Sequence, residues 1–404
     1  MKALVAAALL LAASARAATT NNDDSCDIAV QPAATLLLPY FEVDLGAAQP
    51  APTTTLISIQ NVSASPVTAN VTVWTDWAYP ALNFPIQLTG YDVEGIDLRD
   101  VLKGGALPSS ACASGPLSPG LLDDLHSLFI TGKSTGASIA CTAQVGGVHA
   151  LATGYVTIDV VAGCSATNVT SPGYFSTLRY DNVLTGDYQQ LGTAQGRVYA
   201  SGGPLVHIRA IPEGGAAGVV MATQLPHTFY ERYMPDPLAQ HADRRQPLPS
   251  AFAPRWISGG TTGFNTNLKI WREGMTTGSC AGAQRAGSNS EMVISETVRF
   301  DEHENATVTG VLCSIGCLSP PGLPAASSVS SISIRFPPLS ISGDPGGWLY
   351  INLDNQSTKT RSSQNWVIVS MLAAPAYATE ATAPALGNGC STAAKPGARI
   401  GPLP

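Results

Sequence analysis

The sequence predicts an all-β protein built of antiparallel β-sandwiches, with one prominent short helix. Three observations predict it. Short β-branched runs recur along the chain, separated by turns. The 39 Gly and 30 Pro punctuate them, as sandwiches require. A single segment carries helical periodicity. Hydrophobic residues make up 45% of the 404, so a large core can be buried, while charged residues are only 12%, the reverse of a disordered chain.

Thr53 to Gln60 alternates, with Leu56, Ser58 and Gln60 opposing Thr55, Ile57 and Ile59. The polar cluster Asn61 to Pro66 follows. Val67 to Trp77 then places Val71, Val73, Thr75 and Trp77 on one face and Asn70, Thr72, Trp74 and Asp76 on the other. Two such runs joined by a short turn predict an antiparallel hairpin. Further strands are expected at 150–161, 205–211, 268–272, 291–300, 306–312, 328–336, 348–353 and 366–374. The helix is expected over 119–130. Ser118 is its N-cap and Pro119 its first residue, Leu121, Leu122, Leu125, Leu128 and Phe129 recur at three- and four-residue spacing, and Gly132 ends it. Asp123 and Asp124 in its first turns suit the helix dipole.

The N-terminus reads as a signal peptide over residues 1–17: Lys2, an apolar run from Ala3 to Ala13, then Ala15-Arg16-Ala17. Its removal takes away Lys2 and Arg16 and moves the formal charge from -7 to -9. No later segment has the length of a membrane-spanning helix, so an exported protein without a membrane span is expected, secreted, extracellular or periplasmic. The expected division is a sandwich over 18–165 that holds the helix, a second β-rich domain over 166–390, and a flexible tail over 391–404.

Eight cysteines in an exported chain favour disulfides. Cys112 and Cys141 flank the helix and are expected to pair. Cys280 is expected to pair with Cys313 or Cys317, and Cys26 with Cys390 near the chain ends. Cys313-x3-Cys317 lacks the second close pair, or the His pair, of a zinc site. No cofactor is expected. Gly132-Lys-Ser-Thr135 mimics the end of a phosphate loop, but position 127 is Ser and the segment follows a helix instead of a strand.

No Lys/Arg run exceeds Arg244-Arg245, which with the negative charge argues against nucleic acid. Catalytic signatures of the nucleophile-elbow, HExxH or Cys/His kind do not occur. Asp181 and Asp187, beside Tyr180 and Tyr188, would suit glycan hydrolysis if the two carboxylates faced one cleft; Asx turns with packed rings are the plainer reading. Asp301 to Asn305 reads as a hairpin turn, and Asp97-Leu-Arg-Asp100 as a local ion pair. Trp74, among polar neighbours, is a sugar platform or interface anchor, or else is covered by a loop. The Pro-rich stretch from Tyr233 to Ala253 carries Asp236, His241, Asp243, Arg244 and Arg245 and is expected to pack across a sheet end as part of a recognition surface; the alternative is a disordered connector. The sequence holds five Asn-x-Ser/Thr sites, at Asn61, Asn70, Asn168, Asn305 and Asn355.

The stretches LLLPYFEVDL (36–45), TTLISIQN (54–61), VTVWTDW (71–77), LTGYDV (88–93), DLRDVL (97–102), GYVTIDVV (154–161), YDNVLTGDY (180–188), HIRA (207–210) and LGNGCS (386–391) together resemble a group of exported bacterial β-rich proteins of uncharacterised function. The resemblance spans most of the mature chain and implies export and a β fold, with no catalytic residues. Strand–NVSASPV–strand is loosely similar to bacterial immunoglobulin-like modules, so the sandwiches are expected to be immunoglobulin-like or jelly-roll-like. The functional expectation is a secreted or cell-surface, non-enzymatic binding or structural protein, its partner a cell-surface or matrix polymer or a second copy of itself. The alternative is a secreted hydrolase acting on glycans.

Overall fold

The computed structural model describes residues 31–46, 53–113, 115–165, 167, 169, 172–194, 197–210, 245, 248, 251–259, 264–272, 296–307, 329–334, 346–352, 365–373, 377–383 and 385–386. Every strand pairing in the ladders is antiparallel, as an all-β sandwich architecture requires.

The first region contains β1 (Thr35–Val43), β2 (Thr54–Asn61), β3 (Val67–Thr75), β4 (Pro80–Leu88), β5 (Val93–Asp97), β6 (Ala152–Val161), β7 (Leu184–Ala194), β8 (Arg197–Pro204) and β9 (Val206–Ile208). Sheet one has the order β4-β3-β6-β1-β9 and sheet two the order β5-β2-β7-β8. Between them lies a core of Leu36, Phe41, Ile57, Ile59, Val71, Val73, Phe84, Val156, Ile158 and Tyr188, with others. Each such side chain, fully buried, contributes about 1.5–3 kcal/mol of transfer free energy. The alternation read in β2 holds: Ile57 and Ile59 are buried, while Leu56, Ser58 and Gln60 face outward.

The expected hairpin between β2 and β3 does not form. β2 pairs with β5 and β7, whereas β3 pairs with β4 and β6, so the chain arches from one sheet to the other. Asn61 holds this arch. Buried at the end of β2, its amide Nδ2 donates to the Ser65 and Thr89 carbonyls while its Oδ1 accepts from Ser63. A strand that has a buried Asn at its end and a five-residue turn can change sheets as readily as fold back.

Two helices are described, α1 (Leu98–Leu102) and α2 (Pro119–Thr131). In α2, Ser118 accepts from the Leu121 N–H as N-cap, Pro119 opens the first turn and Gly132 ends it with φ 75°, a conformation that costs glycine nothing. Leu125, Leu128 and Phe129 face the core, where Phe129 meets Phe41 edge-on at 5.8 Å. α1 begins at Asp97, whose carboxylate caps the Arg99 N–H and accepts from Thr54 Oγ1. The Arg99 guanidinium donates to the Asp44 carbonyl, so the expected ion pair here is a helix cap instead.

The second region contains β10 (Ala251–Phe252), β11 (Arg255–Gly259), β12 (Phe264–Arg272), β13 (Glu296–Asp301), β14 (Ala306–Thr307), β15 (Val329–Ile334), β16 (Gly346–Asn352), β17 (Asn365–Ala373), β18 (Tyr377–Thr382) and β19 (Ala385–Leu386). They form one sheet with the path β14-β13-β16-β11-β12-β17-β18. The turn expected at Asp301 to Asn305 joins β13 to β14. Asp301 accepts from the His303 and Asn305 backbone N–H groups and from the Asn305 amide. The sequence-based boundary at 165 moves: β7, β8 and β9 all pair within the first region, which takes its sheets to Ile208.

The Cys112–Cys141 pairing is also corrected. Cys112 bonds Cys164, with Cα atoms 5.7 Å apart, and Cys141 is disulfide-bonded elsewhere. Register supplies the reason. Ala111 bridges Ile86 and the Cys112 N–H donates to Pro85 on β4, while Cys164 lies just past the end of β6, where Val161, Thr68 and Gln87 form one row across three strands. Cys26, Cys280, Cys313, Cys317 and Cys390 lie outside the described residues. No described helix is long and apolar enough to cross a membrane.

Candidate functional site

Sheet one is buried on both faces. Its inner face packs on sheet two, and its other face packs on β12 and β17 of the second region through Leu37, Tyr40, Trp74, Tyr155, Val206, Trp271 and Ile368. This explains why β3 and β6 bury nearly every residue although their sequences alternate apolar and polar. Trp74 is 0% exposed, stacks on Tyr155 at 5.5 Å and donates from Nε1 to Thr157 Oγ1, while Tyr155 meets Trp271 edge-on. Trp74 therefore anchors one part of the protein to another and offers no platform to a sugar. Lys269 lies over the Tyr40 ring and 3.7 Å from Glu42, to which Tyr40 donates.

Polar groups in this layer form one network. Register sets Asn70, Asp159 and Thr35 side by side on β3, β6 and β1. Asp159 accepts from Thr35 Oγ1 at 2.6 Å and from Tyr174 Oη at 2.7 Å, and pairs with Arg245 at 3.3 Å. Asn70 donates to Tyr174 and Thr72. Burial raises the Tyr174 hydroxyl well above its usual pKa, and the Asp159 charge adds to this, so Tyr174 stays a donor. Arg245 is 2% exposed, so it belongs to the interior and is corrected from a binding to a structural residue. Asp236, His241, Asp243 and Arg244 lie outside the described residues. Leu248 also packs on this layer.

A second buried carboxylate, Asp124, accounts for the phosphate-loop mimic. It lies beyond the first turn of α2, and it accepts from the Gly136, Ala137, Ser138 and Ile139 N–H groups and from the Ser134 and Thr135 hydroxyls. Burial opposes its charge, but these hydrogen bonds outweigh burial and hold its pKa far below the usual carboxylate range. The loop is an anion nest filled by the protein's own carboxylate. At the end of β3, Asp76 accepts from the Gly147 N–H at 2.8 Å and bonds His149 Nε2 at 2.9 Å, tying down the 145–149 loop. His207 accepts from the Gly186 N–H through Nε2, and burial lowers its pKa to about 4. His126 is exposed on α2 and His303 sits in the β13–β14 turn, so the described histidines stay apart. No group of three or more His, Cys, Asp or Glu suited to a metal occurs among the described residues.

The outer face of sheet two is different. On it, Val93, Gly95 and Asp97 of β5 lie opposite Gln60, Ser58 and Leu56 of β2, which in turn lie opposite Thr185, Asp187 and Gln189 of β7. Val93 is 60% exposed, and Gly95 and Gln189 are exposed. Beyond the strand ends, the Tyr91 N–H donates to Ser63 and the Asn61 N–H to Asp92, which continues the pairing and sets Val62 beside Tyr91. Tyr91, at φ 57°, is 72% exposed, and Val62 is 39% exposed. Three of the four large exposed hydrophobic residues described thus share one tip; Val148 is the fourth. Asp92 stabilises the tip by accepting from Thr89 and Val93, bonds that lower its pKa, the Thr89 backbone N–H most of all.

Asp187 points outward from β7, whereas Asp181 lies before that strand, 3.6 Å from Arg179. Among the remaining sequence motifs, Asn61 and Asn70 are buried, which closes both to glycan attachment in the folded chain. The exposed tip went unread in the sequence because a Gly-Tyr-Asp-Val turn shows neither alternation nor a chemical motif. No known protein-family model, curated protein or solved structure matches this chain.

Proposed function

We propose that this is an exported, non-enzymatic binding protein of the cell surface or extracellular space, and that it meets its partner through the outer face of sheet two. One observation carries the reading. The buried carboxylates Asp76, Asp124 and Asp159 of the first region are committed to internal hydrogen bonds, while sheet two presents an open face with an apolar tip at Val62, Tyr91 and Val93. Exposed aromatics on a rigid frame are typical anchors for partners. The signal peptide read at residues 1–17 and the Cys112–Cys164 disulfide fit an oxidising compartment outside the cytoplasm. Glycan hydrolysis has less support, because Asp181 is held at Arg179 and Asp187 stands on a separate strand face.

The test is cosedimentation of the purified chain with isolated cell envelopes, together with light scattering over a concentration series. The wild type is expected to cosediment or to self-associate, and Tyr91→Ser/Val93→Ser to lose that interaction with its unfolding midpoint unchanged. A wild-type protein that stays a strict monomer and binds no envelope material would refute the proposal.

A further inference from the structure

We infer that the outer face of sheet two binds a neutral polysaccharide, laid across the strands along the row Gly95–Ser58–Asp187–Pro204. This rests on the binding role proposed above and names its ligand class. The row crosses four adjacent strands, a span of about 14 Å at ordinary strand spacing. Its floor is low at Gly95 and Ser58. Taller neighbours rise on either side, Val93, Gln60 and Thr185 along one edge and Asp97, Leu56 and Gln189 along the other.

Gly95, like Gly203 on β8 and Gly163, is a glycine that its own surroundings do not require. A Cβ built there meets no atom within 4 Å, and its φ is outside the left-handed range. Neither packing nor backbone geometry asks for glycine, and a glycine inside a strand often marks the close approach of a ligand. The groups along the row fit a hydroxyl-rich chain. The Ser58 hydroxyl, the Asp187 carboxylate and the Gln189 amide have no side-chain partner among the described residues, and Gln60 accepts from Thr185 at 3.3 Å while its own NH2 stays uncommitted. Sugar hydroxyls both donate and accept, so they match such a mixed set. No outward position of β2, β5, β7 or β8 is Lys or Arg, while Asp97 and Asp187 on the face and Asp92 at the tip are acidic, which disfavours polyanions. The free valences are side chains on the face, so an added peptide strand, which would pair at the sheet edge, is a poorer fit.

The experiment is native affinity electrophoresis of the full chain through gels containing β-glucan, galactomannan or dextran, with polygalacturonate as the anionic comparison. At least one neutral polymer is expected to retard the wild type and polygalacturonate to leave it unretarded. Gly95→Leu and Asp187→Asn should each weaken retardation at least fivefold with unchanged unfolding midpoints, while Lys133→Ala on the α2 loop should not. Gly95→Leu is the sharpest variant, because open space above the residue lets it fold while filling the row. If no neutral polymer retards the wild type but the Tyr91→Ser/Val93→Ser protein still loses envelope binding or self-association, the ligand class is wrong and the binding role stands. If a neutral polymer retards Gly95→Leu and Asp187→Asn as strongly as the wild type, the site is wrong. If every variant keeps all interactions of the wild type, both readings fall.

Discussion

Two sheet faces in the first region carry a similar row of polar residues and use it in opposite ways. On sheet one, Asn70, Asp159 and Thr35 lie across three strands, and Tyr174 and Arg245 close over them. On sheet two, Gly95, Ser58 and Asp187 lie across three strands, and Gly95 stays exposed. Burial decides the chemistry. A carboxylate removed from water must be neutralised and hydrogen-bonded, and Asp159 has Arg245, Tyr174 and Thr35 to do it. A carboxylate in water needs no such partner, so Asp187 keeps its hydrogen-bonding capacity for something outside the chain. Alternation alone marks both rows as the polar side of a strand; only the third layer separates them.

The largest expected effect comes from breaking the closed row. Arg245→Ala removes the buried guanidinium that faces Asp159 in the interior and should cost about 3–5 kcal/mol in urea unfolding. Asp159→Leu/Arg245→Met, which removes both charges together, should recover much of that loss. A double variant as unstable as Arg245→Ala would mean that the layer needs the ion pair itself.

Next is the covalent tie behind the same sheet. The Cys112–Cys164 bond closes a loop with a sequence separation of 52. Replacing both cysteines with Ala should lower stability by about 2–4 kcal/mol, visible as a lower thermal midpoint of the first region. Asp124→Ala should cost a comparable amount, about 3 kcal/mol, because six donors lose their acceptor. Added formate should restore part of it by refilling the nest, and an unresponsive variant would show that the loop has collapsed.

His207, between the sheets, gives a pH signature. Its folded pKa of about 4 lies below the ordinary histidine value of 6.5. The unfolded chain therefore binds a proton that the folded one refuses over that window. Stability is complete above pH 6.5 and falls as pH drops towards 4, by at most about 3 kcal/mol. In His207→Gln this slope should flatten between those pH values, and an unchanged slope would assign the titration to another group.

Much of the architecture was legible in the sequence, for reasons particular residues show. The β class followed from period-two runs such as 54–60, and α2 followed from Ser118, Pro119 and Gly132, since caps act locally. What stayed hidden depends on contacts distant in sequence. Asn61 sends β3 to the other sheet through bonds to Thr89, 28 residues away, and the pattern of β2 and β3 cannot reveal that. Trp74 among polar neighbours read as a platform or anchor, or else as a covered ring; it is covered, but by Trp271 and Tyr155, which are distant in sequence. Nothing in the run 150–161 marks Asp159 as buried, because its partners come from 35, 174 and 245. The outer face of sheet two escaped notice for the converse reason: Gly95 has no side chain, and Asp187 read as a hydrolase carboxylate or, more plainly, as part of an Asx turn.

The smallest effect on stability is also the most informative, because the same substitution can be made on both faces. Asp159→Asn and Asp187→Asn each remove one charge and keep the shape of the side chain. The measurement is the unfolding free energy of each variant beside its retardation by the neutral polysaccharide that retards the wild type. The account predicts that Asp159→Asn loses several kcal/mol, about 3 or more, and that its folded fraction binds as the wild type does. It predicts that Asp187→Asn stays within about 0.5 kcal/mol of the wild type and loses binding. An Asp187→Asn protein that binds fully, or that is destabilised as much as Asp159→Asn, would contradict the division of the two faces.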